Sequence, residues 1–255
     1  MRYGFMMALV AIFSVQQLGC ATTGVSQDRM TDTARDHANR GLALAEKGDL
    51  DGAIAELRTA VRLDPNNVNA HIKLGTALAR KGDLDGAIAE YRTTVRLDPN
   101  NVNAHMNLGT ALATKGDLDG ALAEFRTTLR LDPNDVDAHI NLGHALTRKG
   151  DLDGALAEFR TALRLNPNHV YAHYSLGLAL QGKGDFDGAL AEYRTVLRLN
   201  PNYGAAHYNL GLALKSLGHK AEAKGEFQQA LKLLENVPNT QKKAEAVRQQ
   251  LREVE

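Results

Sequence analysis

A phrase of twenty residues, KGDLDGAIAEYRTTVRLDPN, recurs along the chain at a constant spacing. It occupies residues 81–100, and near copies occupy residues 47–66, 115–134, 149–168 and 183–202. A period of 34 residues falls in the range of architectures in which each repeat is one small supersecondary unit. Such a unit cannot bury its apolar side alone, so neighbouring units must stack. The repeat therefore predicts an extended array rather than one globular core.

Within each period the sequence predicts two short helices. In the second copy, apolar residues at helical spacing predict a first helix over residues 68–81: Ala70, Leu74, Ala77 and Leu78. Gly82 then suits the left-handed conformation that ends a helix, and Asp83 suits the N-cap of the next one. That second helix carries its own apolar stripe and ends before Pro99, which a helix interior does not tolerate.

Four series of residues keep the 34-residue step, and together they resemble the tetratricopeptide repeat (TPR) family. They are Gly41, Gly75, Gly109, Gly143, Gly177 and Gly211; Ala53, Ala87, Ala121, Ala155, Ala189 and Ala223; Leu57, Tyr91, Phe125, Phe159, Tyr193 and Phe227; and Pro65, Pro99, Pro133, Pro167 and Pro201. The resemblance covers six repeats, at residues 34–67, 68–101, 102–135, 136–169, 170–203 and 204–237. It implies an all-α fold, a right-handed α-solenoid superhelix of stacked helix-turn-helix units. Residues 238–255 are expected to form a C-terminal capping helix with Val247, Leu251 and Val254 on one side.

The first helix of each repeat varies at selected positions, whereas the second helix barely varies among the first five copies. In the TPR family these positions of the first helix line a concave groove that holds ligands. The resemblance therefore implies that the following residues bind a protein or peptide partner: Asn39, Lys73, Asn107, Asn141 and Asn209 at the sixth repeat position, Tyr174 and Tyr208 at the fifth, His144 at the ninth, and Arg80 and Arg148 at the thirteenth. The alternative is that the first helices simply drifted.

The asparagines at the sixth position resemble the asparagine ladder of O-linked N-acetylglucosamine transferase, where the amides hold a peptide backbone. A primary amide offers both donors and an acceptor, so it can pair with the backbone of a bound peptide whatever side chains the peptide carries. Lys73 and Ser175 interrupt the series, and the alternative is that each asparagine bonds to the neighbouring repeat. Basic residues outnumber acidic ones in this predicted groove, which favours an acidic or phosphate-bearing partner. They are Arg80, Arg148, Lys73 and Lys215, against Glu46 and Asp137.

Six histidines also keep the period: His37, His71, His105, His139, His173 and His207. Two helices separate each from the next, and packed helices lie about 8–10 Å apart, whereas zinc ligands lie about 2 Å from the metal. We therefore predict no metal site, and we expect these rings to pack between helices. Were they buried as neutral imidazoles, acid would loosen the array, because protonation would favour the unfolded chain.

The N-terminus predicts export. Residues 1–19 hold one basic side chain and a short apolar run, the pattern of a signal peptide. The segment Leu18-Gly19-Cys20-Ala21 resembles the lipobox of bacterial lipoproteins, which implies a lipid on Cys20, the only cysteine. Residues 20–33 would then be a lipidated tether, and the protein would lie on the periplasmic side of the outer membrane. The alternative is cleavage after Ala21, which would give a soluble secreted or periplasmic protein.

Charge and motif content favour an interaction protein over an enzyme or a nucleic-acid binder. Thirty basic residues balance thirty acidic ones, and no strongly basic stripe is visible, so we predict no nucleic-acid partner. No catalytic constellation stands outside the repeats, so we predict neither catalytic residues nor a cofactor. The chain resembles six-repeat lipoproteins that help assemble secretin pores in type IV pilus systems, and lipoprotein scaffolds for cell-wall enzymes. Alternatives are a self-assembling scaffold, although Arg40 and the charged final helix favour a monomer, and an enzyme accessory subunit.

Overall fold

A computed structural model describes residues 29–235 and 240–254 of the 255-residue chain. These two stretches contain helices and turns and no strand. The helices are residues 29–46 (α1), Leu50–Leu63 (α2), Val68–Lys81 (α3), Leu84–Leu97 (α4), Val102–Lys115 (α5), Leu118–Leu131 (α6), Val136–Lys149 (α7), Leu152–Leu165 (α8), Val170–Gly182 (α9), Phe186–Leu199 (α10), Gly204–Ser216 (α11), Lys220–Glu235 (α12) and Gln241–Val254 (α13). The odd-numbered helices α1–α11 lie where the sequence predicts the first helices of the repeats, and the even-numbered helices α2–α12 lie where it predicts the second helices.

The chain divides into two compact units, Met1–Lys115 and Gly116–Glu255. In the first unit, α2 packs against α3, α3 against α4, and α4 against α5. In the second unit, each helix from α6 to α13 packs against the next one along the chain. First helices also contact one another: α3 meets α5 in the first unit, while α7 meets α9 and α9 meets α11 in the second. Each unit is therefore a stack of helix pairs, and the predicted all-α, solenoid class of fold is confirmed.

The predicted helix ends are confirmed in the second copy of the repeat. Helix α3 spans Val68–Lys81, and Gly82 follows it with a φ of 91° in the left-handed region. The carboxylate of Asp83 then accepts a hydrogen bond of 2.9 Å from the backbone N–H of Gly86, which caps α4. Such a cap satisfies a donor that has no partner inside the helix. Helix α4 ends at Leu97, two residues before Pro99.

A glycine inside several first helices faces a buried aromatic ring of the following second helix. In the second unit, a Cβ placed on Gly143 would lie 2.6 Å from Cε1 of Phe159, closer than packed carbon atoms approach. Phe159 itself is 1% exposed. Glycine costs a helix about 1 kcal/mol relative to alanine, so this residue weakens α7 locally while allowing the ring to pack against its backbone. The helix pair is consequently held together by close packing.

The repeated histidines lie between helices, where five of them contact a glutamate of the following second helix. In the first unit, His71 Nδ1 lies 2.5 Å from a carboxylate oxygen of Glu90, and its Nε2 lies 2.9 Å from the carbonyl oxygen of Pro65. Both nitrogens face acceptors, and an imidazole donates from both only when it is protonated. Further histidine–glutamate pairs join His37 to Glu56, His139 to Glu158, His173 to Glu192, and His207 to Glu226.

The hydrogen bond to the partner carboxylate also sets the direction of the pKa shift in two of these pairs. Glu90 raises the pKa of His71, and Glu226 raises the pKa of His207, each against an opposing effect of burial. The charged form is therefore favoured in the fold. Protonation stabilises these two sites, so acid does not loosen the array through them.

Lysine–aspartate ion pairs connect successive repeats at the surface. Lys149 at the end of α7 contacts Asp119 near the start of α6, and Lys183 contacts Asp153 thirty residues before it. The first unit holds equivalent pairs, Lys81 with Asp51 and Lys115 with Asp85. Exposed pairs of this kind each contribute about 0–1 kcal/mol, so their main effect is to neutralise the aspartates.

The first helix begins earlier than the sequence predicts. Residues 29–33 are helical and continue into the rest of α1, whereas they were assigned to a tether that ended at residue 33. The hydroxyl of Thr33 donates to the carbonyl oxygen of Arg29 at 2.8 Å, and Ala34 is fully buried. The signal peptide at 1–19, the lipidated Cys20 and the tether up to residue 28 lie outside the described residues and stay predictions.

Helix α13 forms within the segment predicted to cap the array. Val247 and Val254 are buried, and Leu251 is half-buried. Lys215, near the end of α11, donates a hydrogen bond of 2.9 Å to the side chain of Gln250 and forms an ion pair with Glu253. The hydrogen bond from Lys215 lowers the pKa of Glu253. The final helix is thus attached to α11 by charge as well as by apolar packing.

Candidate functional site

The predicted groove residues of the first unit lie on three successive first helices. Asn39 on α1 is exposed, while Lys73 on α3 and Asn107 on α5 are half-buried. Arg80, near the end of α3, is exposed and donates a hydrogen bond of 3.1 Å to the carbonyl oxygen of Ala45. Arg80 therefore bridges two repeats of this unit as well as facing solvent.

In the second unit, Asn141 and His144 are half-buried on α7, and Arg148 is exposed at its end. The ring of His144 packs 5.2 Å from Phe159 and 5.3 Å from Tyr171, measured between ring centroids. Its Nε2 lies 3.2 Å from the hydroxyl of Ser175. Burial lowers the pKa of His144, so this ring favours the neutral state.

Tyr174 of α9 is held in place by its neighbours. Its ring lies 5.1 Å from Tyr203 and 6.0 Å from Tyr193, and its hydroxyl accepts a hydrogen bond of 2.8 Å from the side-chain amide of Asn209. Burial raises the pKa of Tyr174 and of Tyr203, so both phenols stay neutral. Asn209 therefore bonds to the neighbouring repeat, as the alternative to an asparagine ladder proposed. An amide has a second N–H and a carbonyl oxygen besides the N–H used here.

Three of the predicted residues, Tyr174, Tyr208 and Asn209, line one cavity of about 870 Å³ in the second unit. We call it the C-terminal pocket. The remaining lining residues are Leu178 on α9, Asn202 before α11, Gly204 and Ala205 on α11, Leu233 and Leu234 on α12, and Lys243, Ala246 and Val247 on α13. Its volume lies within the range of about 300–1,000 Å³ that is usual for ligand pockets.

The wall of the C-terminal pocket is mainly apolar, with a few polar groups. Leu178 is 40% exposed on the α9 side. The amides of Asn202 and Asn209 and the ammonium of Lys243 supply the polar chemistry. Such a site suits a ligand that presents an apolar or aromatic group and a hydrogen-bonding backbone or an acidic group.

Sequence reasoning missed most of this pocket, since nine of its twelve lining residues were not predicted to bind a partner. Leu233, Leu234, Lys243 and Ala246 belong to the last two helices, which the groove analogy does not include. The available signal was Val247, which was assigned to the apolar side of the capping helix and which also lines the pocket. The predicted residues Asn39, Lys73, Arg80, Asn107, Asn141, His144 and Arg148 do not line it.

The described part of the chain contains no group of three or more histidine, cysteine, aspartate or glutamate side chains placed to hold a metal ion. Among its helices, none is both long enough and apolar enough to cross a membrane.

Family comparison agrees with the stacked helix pairs. Tetratricopeptide repeat models match residues 38–102, 72–136, 106–170, 140–182 and 204–237, and a TPR repeat model matches residues 182–218. The matches cover most of the chain. The chain belongs to the tetratricopeptide repeat family, whose fold generally serves as a non-enzymatic scaffold for protein interactions. Among curated proteins, none matches it by sequence.

Several solved structures share the fold. MamA is 30% identical over 68% of this chain and 97% of its own, with a TM-score of 0.60. YrrB, described as a TPR protein with an unusual peptide-binding site, is 22% identical over 76% of this chain and 97% of its own, with a TM-score of 0.60. PilF of Pseudomonas aeruginosa is 20% identical over 87% of this chain and 99% of its own, with a TM-score of 0.69.

Proposed function

We propose that this protein is a non-enzymatic adaptor of the bacterial cell envelope that holds an extended segment of a partner protein in the C-terminal pocket. The single observation that carries the proposal is the pocket itself, in which Tyr174, Leu178 and Tyr208 of two first helices face Val247 of the final helix. Tyrosine is among the residues that most often supply binding energy in protein recognition.

The polar groups of the pocket favour a peptide over a purely apolar ligand. Asn202 and Asn209 offer amides to a peptide backbone, and Lys243 offers a positive charge to an acidic side chain or a terminal carboxylate. YrrB, described as a TPR protein with an unusual peptide-binding site, gives the fold a precedent for binding a peptide. The partner segment we propose therefore carries an aromatic or aliphatic residue near an acidic group.

The envelope location rests on the N-terminal sequence. We propose that Cys20 carries a lipid and anchors the protein to the outer membrane, where it assists assembly of an envelope complex in the manner of pilus-secretin lipoproteins. PilF shares the fold over nearly its whole length, which is compatible with such a role. Metabolic labelling with a fatty-acid analogue tests the anchor: label should appear on the wild type and disappear in Cys20→Ser, and label that persists would contradict it.

The peptide site is tested with peptides selected from a displayed random library against the purified protein. Their affinity is then measured by fluorescence anisotropy for the wild type, Tyr208→Ala and Leu178→Ala. Loss of a central binding side chain costs about 2 kcal/mol or more, so we expect Tyr208→Ala to weaken binding roughly thirtyfold. Leu178→Ala should have a smaller effect in the same direction.

Leu42 provides a matched control for this experiment. It occupies the same repeat position as Leu178 and is 41% exposed, but it lies in the first unit and does not line the pocket. Leu42→Ala should leave the affinity unchanged. Equal losses in Leu42→Ala and Leu178→Ala, or unchanged affinity in Tyr208→Ala, would contradict the pocket as the binding site.

Light scattering of the same samples tests the alternative of self-assembly, which predicts polymers that grow with protein concentration.

A further inference from the structure

The exposed side of the second helices carries a repeated pair of arginines. In the second unit these are Arg126 and Arg130 on α6, Arg160 and Arg164 on α8, and Arg194 and Arg198 on α10, and all six are exposed. The first unit has the same arrangement, with Arg58 and Arg62 on α2 and Arg92 and Arg96 on α4. Each unit thus carries its own exposed arginines, and we call the six residues of the second unit the arginine face.

Nearly all of these arginines lack an acidic partner. Among the described residues only Arg194 contacts a carboxylate, that of Glu222 at 3.5 Å. Acidic residues on or next to the same helices have other partners: Asp119 pairs with Lys149, Glu158 pairs with His139, and Asp151 caps α8. The net charge of the whole chain is balanced, but the exposed side of these second helices therefore carries a local excess of positive charge.

The two arginines of each pair lie four residues apart, so their side chains are neighbours on the helix surface. Like charges at this spacing repel one another and weaken the helix. The same unfavourable pair nevertheless occurs on α2, α4, α6, α8 and α10. Helix stability does not explain that repetition, whereas an anionic ligand would remove the repulsion. The guanidinium group also binds phosphate oxygens through two parallel hydrogen bonds.

The remaining chemistry of the arginine face indicates the kind of ligand. Besides the arginines, the exposed positions of α8 are Asp153, which pairs with Lys183, and Ala157. Such a surface lacks the large buried anchors on which protein interfaces depend and the aromatic rings on which single-stranded nucleic acids stack. Recognition by charge alone suits a continuous layer of anionic groups.

We propose that the arginine face binds the anionic phosphate headgroups of a phospholipid bilayer. This proposal rests on the proposed envelope location, which keeps the protein beside a membrane and away from nucleic acid. The arginines recur every 34 residues, so no run of basic letters in the sequence reveals them. The face and the C-terminal pocket use different helices, so one molecule can hold a bilayer and a peptide together.

The test measures sedimentation of the otherwise complete chain, carrying Cys20→Ser so that no lipid on that residue contributes. One set of vesicles contains equal parts of phosphatidylglycerol and phosphatidylcholine, and the other contains phosphatidylcholine alone. We expect binding to the anionic vesicles only, weakened by high salt because exposed charges are screened. The triple variant Arg130→Gln, Arg164→Gln and Arg198→Gln should bind at least about tenfold more weakly, since one basic side chain contributes roughly fivefold at such a surface.

The matched control removes the same net charge from lysines that already have acidic partners. Lys115→Gln, Lys149→Gln and Lys183→Gln should weaken vesicle binding much less than the arginine variant. Equal losses in the two variants, no preference for anionic vesicles, or binding to a duplex oligonucleotide without binding to vesicles would each overturn the proposal. Peptide affinity of the arginine variant and fatty-acid labelling of Cys20 report separately on the proposed function, and both should be unchanged.

Discussion

The second helices of the repeats are nearly copies of one another, whereas the first helices differ, and the contacts explain why. In α8, Asp151 caps the helix, Glu158 pairs with His139, and the ring of Phe159 fills the space beside Gly143. Glu158 and Phe159 contact the neighbouring helix α7, and Asp151 holds the first turn of α8, so a change at any of them would lose a specific contact. On the first helices, contacts of this kind constrain only the side that packs against neighbouring helices. Residues on the open side can therefore vary.

The open side of the first helices consequently differs between the two units. In the first unit α3 presents Lys73, Thr76 and Arg80, which are polar. In the second unit α9 presents Tyr171 and Leu178, which are 47% and 40% exposed. The tyrosines of these helices gather at the C-terminal end, where residues of the final helix complete the C-terminal pocket.

The largest expected effect distinguishes a residue that packs the core, on α8, from a residue that we propose binds the partner, on the adjacent helix α9. Phe159→Ala removes a ring that is 1% exposed, and a loss of about 3–5 kcal/mol in the free energy of unfolding is expected for such a truncation. Tyr174→Ala, on the half-buried side of α9, should cost clearly less stability and should weaken peptide binding. Urea titration followed by circular dichroism measures the first quantity. Equal destabilisation by the two changes would show that the first helices are as constrained as the second.

A smaller effect compares two helical glycines. Gly143→Ala would place a Cβ 2.6 Å from the ring of Phe159, so strain should outweigh the gain in helix propensity and destabilise the protein by about 1–3 kcal/mol. Gly225→Ala, on α12, meets nothing within 4 Å and should stabilise by up to about 1 kcal/mol. Thermal unfolding of both variants checks the signs. A stabilising Gly143→Ala would mean that the ring moves aside easily.

The smallest effect is the pH dependence of the histidine–glutamate pairs. The folded pKa of His71 and of His207 is raised above the unfolded value, so their stabilisation is fully present below that value, about 6.5, and is lost as the pH rises through the folded pKa. We therefore expect the free energy of unfolding to fall as the pH rises above about 6.5, by less than about 1 kcal/mol per pair.

Two variants sharpen this measurement. Glu90→Gln and Glu226→Gln remove the carboxylates that raise the two pKa values, so they should flatten the dependence in this range. His144 acts with the opposite sign, because burial lowers its pKa and its contribution is lost as the pH falls. A wild-type protein whose stability rises steadily from neutral to alkaline pH would be inconsistent with charged, glutamate-bound histidines.

The sequence was sufficient for the helices and their caps because these depend on neighbouring residues. Val68–Lys81, Gly82 and Asp83 stand where apolar periodicity and capping chemistry place them. The glutamate partners of the histidines were not predicted, although Glu90 recurs with the same period as His71 and stands nineteen residues after it. The two become partners only when the second helix packs back against the first.

The C-terminal pocket could not be predicted from the sequence for a similar reason. Tyr174 and Tyr208 belong to a varying series and were predicted, but Lys243 and Val247 join them only because α13 docks onto the preceding helices. Docking depends on long-range contacts such as the ion pair between Lys215 and Glu253. A repeat pattern defines the interior of an array and says little about its ends.

The lysine–aspartate pairs have a consequence for the length of such chains. Deletion of residues 136–169 would remove Lys149 and Asp153 together and leave Asp119 opposite Lys183, at the original spacing. Unequal recombination within the gene can therefore shorten or lengthen the protein without creating a foreign junction. The terminal helix α13 is not a copy of the repeat, so recombination between repeats would leave it in place. Ligand selectivity that depends on α13 would therefore be kept when the number of repeats changes.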